Sequence, residues 1–335
     1  MFVPFRCPYP ACQAHRRPRG RFFLRDGHYR PRCRSHPVPR FRCRVCLRRF
    51  SRQSFRADRY HKKPSLNAPF LHLMVSCVGL RQAARVLKVA RRTVEHRFAW
   101  LARHAARFQI HRLSRAALPG PFQLDELESF ESNRYQPVTV PVLIDRASLF
   151  LIATAVGPLR RKGRLSPRQR RLRARHEARH GRRPSHSAPA VRQVLARLRP
   201  LVPSPRPVVL DSDHKPLYAR LGRDLFGRRF LWRPHSAAAP RDRSNPLFPI
   251  NHTNARLRHF LARLRRRTWC VSKRRAALQA HLAIAALWAN FCRGITNRTR
   301  TTPAQALGLA PRPYRLEEVL AWRQDWTALR HFTPP

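Results

Sequence analysis

A multidomain α/β protein is predicted, on three observations. Five of the eight cysteines lie within the first 46 residues. Residues 64–108 carry helical periodicity. From Phe122 onward, short apolar runs ending in acids alternate with helical segments. A chain of 335 residues has room for two or three domains with cores of their own. The expected division is 1–56, 57–115, 119–295 with a basic insertion at 160–184, and a tail at 296–335.

In the first segment, Cys7-Pro-Tyr-Pro-Ala-Cys12 and Cys43-Arg-Val-Cys46 form two pairs joined by a loop of about thirty residues. The N-terminus lacks the charged-then-apolar layout of a secretory leader, so clustered cysteines read as metal ligands rather than disulfides. Four thiolates suit closed, tetrahedral, structural zinc in a zinc ribbon; free thiols are the alternative. The four-residue gap in the first pair is wider than the usual two. Cys33 and His36 are left over, as a spare thiol and a surface histidine.

The second segment predicts a helix-turn-helix. Residues 79–87 form a short amphipathic helix, Lys88-Val89-Ala90 a tight turn, and residues 91–101 a second helix. Val94, Phe98 and Leu101 share one face at i, i+4, i+7. Ala84, Leu87, Val89 and Val94 fall where such a motif buries its residues. Arg81, Arg91, Arg92, Thr93 and His96 are then the candidate DNA contacts, because the start of the second helix would lie nearest the bases. An ordinary helical hairpin is the competing reading.

Charge favours the DNA reading. Lys and Arg number 71 against 16 Asp and Glu, a formal net charge of +55. Such a balance steers a protein to a polyanion. Lys supplies only six of the 71, and codon bias accounts for Arg over Lys but not for the shortage of acids. At 43% hydrophobic residues the chain is no disordered basic tail. No apolar run reaches eighteen residues, so no membrane-spanning helix is expected.

In the third segment, Phe122–Asp125 reads as a strand ending in acid. Residues 138–144 and 148–156 form an antiparallel hairpin around Asp145-Arg146-Ala147, with Pro141 pointing to an edge or bulge. Residues 160–184 cannot bury themselves and read as a mobile, DNA-facing insertion. A helix at 190–198, a strand at 207–213 ending in Asp211 and Asp213, a helix near 217–225, a strand at 229–232, and helices at 254–266 and 273–291 follow. This order predicts a ribonuclease-H-like mixed sheet, whose first and fourth strands are neighbours. Asp125 would meet Asp211 or Asp213 at one edge. Strand continuity favours Asp211; the spacing from Asp213 to Tyr218 favours Asp213.

Four of the sixteen acids fall between Asp125 and Glu131. Paired carboxylates against so basic a background suit Mg²⁺ or Mn²⁺ held on a phosphodiester. Two such ions, roughly 3.5–4 Å apart, activate the attacking oxygen and stabilise the leaving one. Asp125 is the natural bridging ligand.

Together, the cysteine pairs with the helix-turn-helix, Leu124-Asp125-Glu126, the run Ile250-Asn251-His252-Thr253-Asn254-Ala255-Arg256-Leu257-Arg258 continuing to Leu264, and Thr301–Leu309 carry a resemblance over nearly the whole chain. It resembles a bacterial insertion-sequence transposase of the DDE type, closest to the group named for insertion sequence one. The resemblance implies binding of element terminal repeats, Mg²⁺-dependent cleavage and joining to target DNA, a homo-oligomer that synapses two ends, and a place at the nucleoid in the bacterial cytoplasm. It also implies Asp213 as the second acid. The chain departs from the group at the third: where the phrase Ile-Glu-Arg-x-Asn carries Glu, Asn251 stands, and no acid occurs from Arg243 to Leu316. A transposase-derived DNA-binding protein with weak or no chemistry is therefore the alternative.

Overall fold

The computed structural model describes residues 2–31, 36–114, 116–161, 163–236, 240, 242–265 and 269–322. The chain folds into two compact units, residues 1–70 with 315–335, and residues 71–314.

The first unit has a short helix α1 (Gln13–Arg16) and an antiparallel sheet of β1 (Phe23–Tyr29), β2 (Val38–Cys43) and β3 (Arg49–Ser51) in that order. So small a sheet buries little, and aromatic rings do much of its packing. Phe22, Phe23, Phe41, Phe50 and Phe55 cluster with Cys7, Cys12 and Cys43. Phe23 and Phe41 meet edge to face with ring centroids 5.5 Å apart, a favoured geometry for aromatic quadrupoles. Cys33 lies outside the described residues, and His36 is exposed.

Helix α2 (Asn67–Met74) leads into the second unit, which opens with α3 (Leu80–Val86) and α4 (Arg91–Leu113). Lys88 adopts φ 49° in the turn between them. Ala84, Val94, Phe98 and Leu101 are buried as expected, whereas Leu87 and Val89 are half-buried. Helix α4 runs twelve residues past the expected end at Leu101, to Leu113.

The sheet strands are β4 (Phe122–Phe130), β5 (Pro137–Asp145), β6 (Leu151–Thr154), the two-residue β7 (Gly157–Pro158), β8 (Val208–Ser212) and β9 (Phe230–Pro234). Their order is β6-β5-β4-β8-β9, with β7 also on β5. β4–β5 and β5–β6 are antiparallel; β4–β8 and β8–β9 are parallel. This is a mixed sheet whose first and fourth long strands lie side by side, as expected.

Helices α6 (Ser187–Ala196) and α7 (Pro216–Phe226) are packed together, α6 against β5 and α7 against β9. Gly222 lets α7 sit close: a Cβ there would fall 2.1 Å from the Phe230 ring. Helices α8 (Phe248–Phe260) and α9 (Arg275–Phe291) bury Leu257, Leu278 and Leu282 against Val138, Val140, Val142 and Ile144 of β5. Alternate residues of β5 therefore face opposite helix layers, and eight of its nine residues are buried.

Four expectations are corrected here. β4 does not end at Asp125; it continues to Phe130 because Glu126–Phe130 keep pairing with Pro141–Pro137. β5 is interior despite Pro141. The Pro141 carbonyl accepts from Ala155 in the break between β6 and β7, so its missing N–H falls at that break. The insertion contains a helix, α5 (Pro167–His180), started by a Ser166–Gln169 capping box and tied down by Arg160–Glu177 at 2.8 Å. Finally α8 starts at Phe248, six residues before the expected Asn254, with Pro249 in its first turn.

The edge strand β6 is closed by side chains. Asn290 of α9 accepts from the Leu151 amide and donates to its carbonyl, both at 2.9 Å, standing in for a neighbouring strand. Gln109 of α4 donates to the carbonyls of Leu151 and Ile152 at 2.9 and 3.0 Å. The helix whose start carries Arg91 and Arg92 thus ends fastened to the sheet. Helices α10 (Pro303–Ala306), in the second unit, and α11 (Leu316–Ala321), in the first, complete the elements. Among the described residues no helix is long and apolar enough to cross a membrane.

Candidate functional site

Two chemical centres are built, one in each unit. In the first unit the Sγ atoms of Cys7, Cys12, Cys43 and Cys46 lie within 4.8 Å of one another. Cys7–Cys46 is 3.7 Å and Cys12–Cys43 3.8 Å. A tetrahedron with zinc–sulfur bonds of about 2.3 Å has edges of about 3.8 Å, so the four thiols fit structural zinc. Burial pushes the Cys7 and Cys12 thiols up. Burial also opposes the Cys43 thiolate, but the amides of Cys46 and Val45 and the neighbouring thiols outweigh it and bring that group below its usual value. His15, buried, is hydrogen-bonded through Nδ1 to the Cys7 carbonyl at 2.7 Å and steadies that knuckle.

Structural zinc supplies most of the folding free energy of such modules, about 10–16 kcal/mol in small zinc-finger peptides. Cys43→Ser is therefore expected to lower zinc content below one per chain and abolish protection of residues 1–56 in hydrogen exchange. Protection of the β4–β8 core should persist. Full protection without metal would refute the zinc assignment.

The second centre lies where β4 and β8 run parallel. Phe122 pairs with Leu210 and Gln123 with Asp211. Two residues further in the same register, Asp125 and Asp213 come abreast. Gln123 anchors β4 to α8, donating to the Pro246 carbonyl at 2.6 Å and accepting from the Ile250 amide at 3.0 Å. One turn along α8, Asn254 Nδ2 donates to Asp125 Oδ2 at 2.7 Å. The other Asp125 oxygen accepts from the Glu126 amide at 2.7 Å. Burial pushes the Asp125 carboxyl up, and the charges of Asp213 and Glu126 push it further. Asn254 Oδ1 is buried with no hydrogen-bond partner among the described residues. Crowded carboxylates beside an unused amide oxygen are a donor set that a hard divalent cation would satisfy.

Asp211 and Asp213 behave differently. Asp211 is fully buried and is held by Arg233 at 2.7 and 3.0 Å, Arg146 at 3.3 Å and His235 at 3.1 Å. Its oxygens are occupied by two guanidinium groups and an imidazole. Asp213, one residue beyond β8, is half-buried and accepts from the Lys215 amide at 3.3 Å. Asn251 lies on α8 one turn before Asn254 and is half-buried; the i, i+3 spacing sets the two on one side of the helix.

Sequence reasoning missed two residues. Asn254 is the α8 side chain that touches Asp125. Its signal was present, since the Ile-Glu-Arg-x-Asn phrase carries an Asn there. Glu126 is the other. It points to the opposite face and accepts from Thr139 at 2.6 Å, Ser187 at 2.7 Å, Tyr218 at 3.1 Å and Lys215. Burial opposes its ionisation, but Lys215, Thr139 and Ser187 outweigh that and hold its carboxyl low. Glu126 therefore ties the residue after Asp125 to the residue two after Asp213. A groove of about 920 Å³ opens beside it, lined by Glu126, Glu128 and five Arg with Lys215.

Of the candidate DNA contacts, Arg81, Arg91, Arg92 and His96 are exposed and Thr93 is half-buried. Arg91 pairs with Glu95 at 2.7 Å, and Arg92 Nε lies 3.4 Å from His96 Nε2.

No family model matches the chain, and no curated protein matches it. A solved structure is similar. It is the simian T-cell lymphotropic virus intasome in complex with the PP2A regulatory subunit B56 gamma, at 16% identity and a TM-score of 0.26, over 60% of each chain. A likeness this loose decides neither fold nor function. The chain spans about 60% of the length of the chain it matches there.

Proposed function

We propose that the chain is a DDE-type DNA transposase with a ribonuclease-H-like catalytic domain, of the kind carried by bacterial insertion sequences. The observation that carries this is Asp125, inside β4, next to Asp213 just beyond the end of its parallel neighbour, with α8 packed on β4 and β5 and touching Asp125 through Asn254. In this reading Asp125 and Asp213 hold Mg²⁺ or Mn²⁺, which would activate the attacking oxygen and stabilise the leaving one. Asp125 spans the centre. Asn254 orients its carboxylate, and Glu126 with Lys215 sets the distance between the acids. Asn251, which stands where the related group has Glu, or Asn254 one turn on, would offer the metal a neutral oxygen in place of that carboxylate. The zinc ribbon and the α3–α4 pair choose the DNA end, with Arg81, Arg91, Arg92, Thr93 and His96 on the duplex. Two ends are brought together by a homo-oligomer.

The absence of an acid anywhere from Arg243 to Leu316 favours a second reading, a DNA-binding descendant with no strand chemistry. One experiment separates them. Duplexes drawn from the flanks of its own gene, where inverted repeats are expected, are incubated with the protein and Mg²⁺ or Mn²⁺. The transposase reading requires nicking at the repeat ends that stops on chelation. Specific binding without nicking in either metal supports the descendant. Arg92→Ala is expected to weaken binding of the repeat about 5- to 150-fold if it touches a base edge, at roughly 1–3 kcal/mol per specific contact. Equal weakening on unrelated duplex would assign it to phosphate instead.

A further inference from the structure

The carboxylate groove, lined by Glu126 and Glu128 and not by Asp125 or Asp213, is not the largest concavity of the second unit. Across α8 lies a groove of about 1370 Å³ containing Arg258, Arg265, Arg293 and Arg300. It runs into a third, of about 790 Å³, containing Arg256 and Arg298. Arg258 and Arg265 line both the carboxylate groove and the first of these. His259, Phe260, Arg293 and Thr296 line both of the latter two. The three form one path over the α8 ridge. Among the described residues its first stretch carries carboxylates, and the two beyond α8 have none along their walls.

The far wall is built rather than loose. Arg256 fastens residues 294–295 to α8 through the carbonyls of Gly294 and Ile295 at 3.4 and 3.1 Å. Thr296 Oγ1 accepts from the amides of Arg298 and Thr299 at 3.2 and 3.0 Å and so shapes the turn. Arg293 donates to Asn297 Oδ1 at 2.8 Å. The turn holds Arg298 and Arg300 out in solvent. Burial brings the Arg256 guanidinium down to about 10, and the charge of Arg293 adds to the effect. These cations repel one another, which a bound polyanion would relieve.

We infer that the acid-free groove beyond α8 is a DNA track, holding duplex that passes Arg258 and Arg265 into the groove beside Glu126 and Glu128. This deepens the transposase reading by assigning a surface to DNA away from the Asp125–Asp213 centre. The test is binding, which is independent of cleavage. Anisotropy of full-length protein with a 40-base-pair duplex is measured from 50 to 300 mM KCl. R298Q/R300Q removes two exposed charges from the groove, and R220Q/R223Q removes two exposed charges from α7 as a control. Each lost phosphate contact lowers the slope of log K against log salt by about 0.9, so R298Q/R300Q is expected to lower it by about two and the control by much less. Equal drops would mean bulk charge alone, and no drop would empty the groove; either overturns the inference. A drop seen with duplex RNA and not with DNA overturns it as well. Failure of wild-type protein to nick would count against the transposase reading and leave this result standing.

Discussion

Asp125→Ala is expected to abolish metal-dependent nicking, by on the order of 10³-fold or more, while repeat binding stays within about two-fold. Losing a single preorganised group that stabilises transition-state charge costs about 10²–10³, and Asp125 would be a ligand of the metal that supplies that stabilisation. The fold should survive. Burial and the charges of Asp213 and Glu126 push the Asp125 carboxyl up, so removing it relieves that strain while losing the Asn254 hydrogen bond. The measurement is a nicking assay run beside filter binding and a thermal melt. Undiminished nicking would sink the carboxylate centre.

The same assay divides the two later acids. Asp213→Asn should follow Asp125→Ala: activity lost, melting unchanged. Asp211→Asn should do the reverse and destabilise by about 2–3 kcal/mol. That is less than a fully buried pair would cost, because Arg146 and Arg233 remain 38% and 47% exposed. A destabilised but fully active Asp213→Asn protein would exchange the two roles.

Asn251→Glu is expected to raise nicking at least ten-fold and tighten Mn²⁺ binding, read separately by the loss of free Mn²⁺ signal in paramagnetic resonance. It adds the missing charge on the correct side of α8. Asn254→Glu is expected to do the opposite. It would replace a donor 2.7 Å from Asp125 with a second carboxylate and weaken the fold without metal. Gain of activity from Asn254→Glu alone would move the third ligand one turn along α8. No change from either, in a protein that nicks, would make the neutral amide native to its chemistry.

Much of the sheet was legible from the chain. The apolar runs that open β8 and fill β5 are nearly continuous because both strands are interior and buried. Strand β4 was cut short at Asp125 because charged residues 125–131 mimic a loop. Pairing with β5 overrides that local preference. Helix α5 carries no apolar stripe to mark it: none of its residues is buried, and it is set by its capping box, the Arg160–Glu177 pair and a Gln136–His176 contact. The early start of α8 was hidden behind prolines at 246 and 249, which serve as a helix entrance.

Composition alone, +55 with 71 basic residues against 16 acids, set a polyanion as the expected partner and made Asp125 conspicuous. Cysteine spacing alone determined the four thiols that converge. Local pattern could go no further, since it cannot say which of two acids a few residues apart is neutralised. The tertiary structure decided that. It brought Arg146, Arg233 and His235 from distant positions onto Asp211 and left Asp213 beside Asp125. It also laid Asn254, 129 residues away in sequence, on the Asp125 carboxylate, one turn along α8 from where Gln123 of β4 accepts the Ile250 amide.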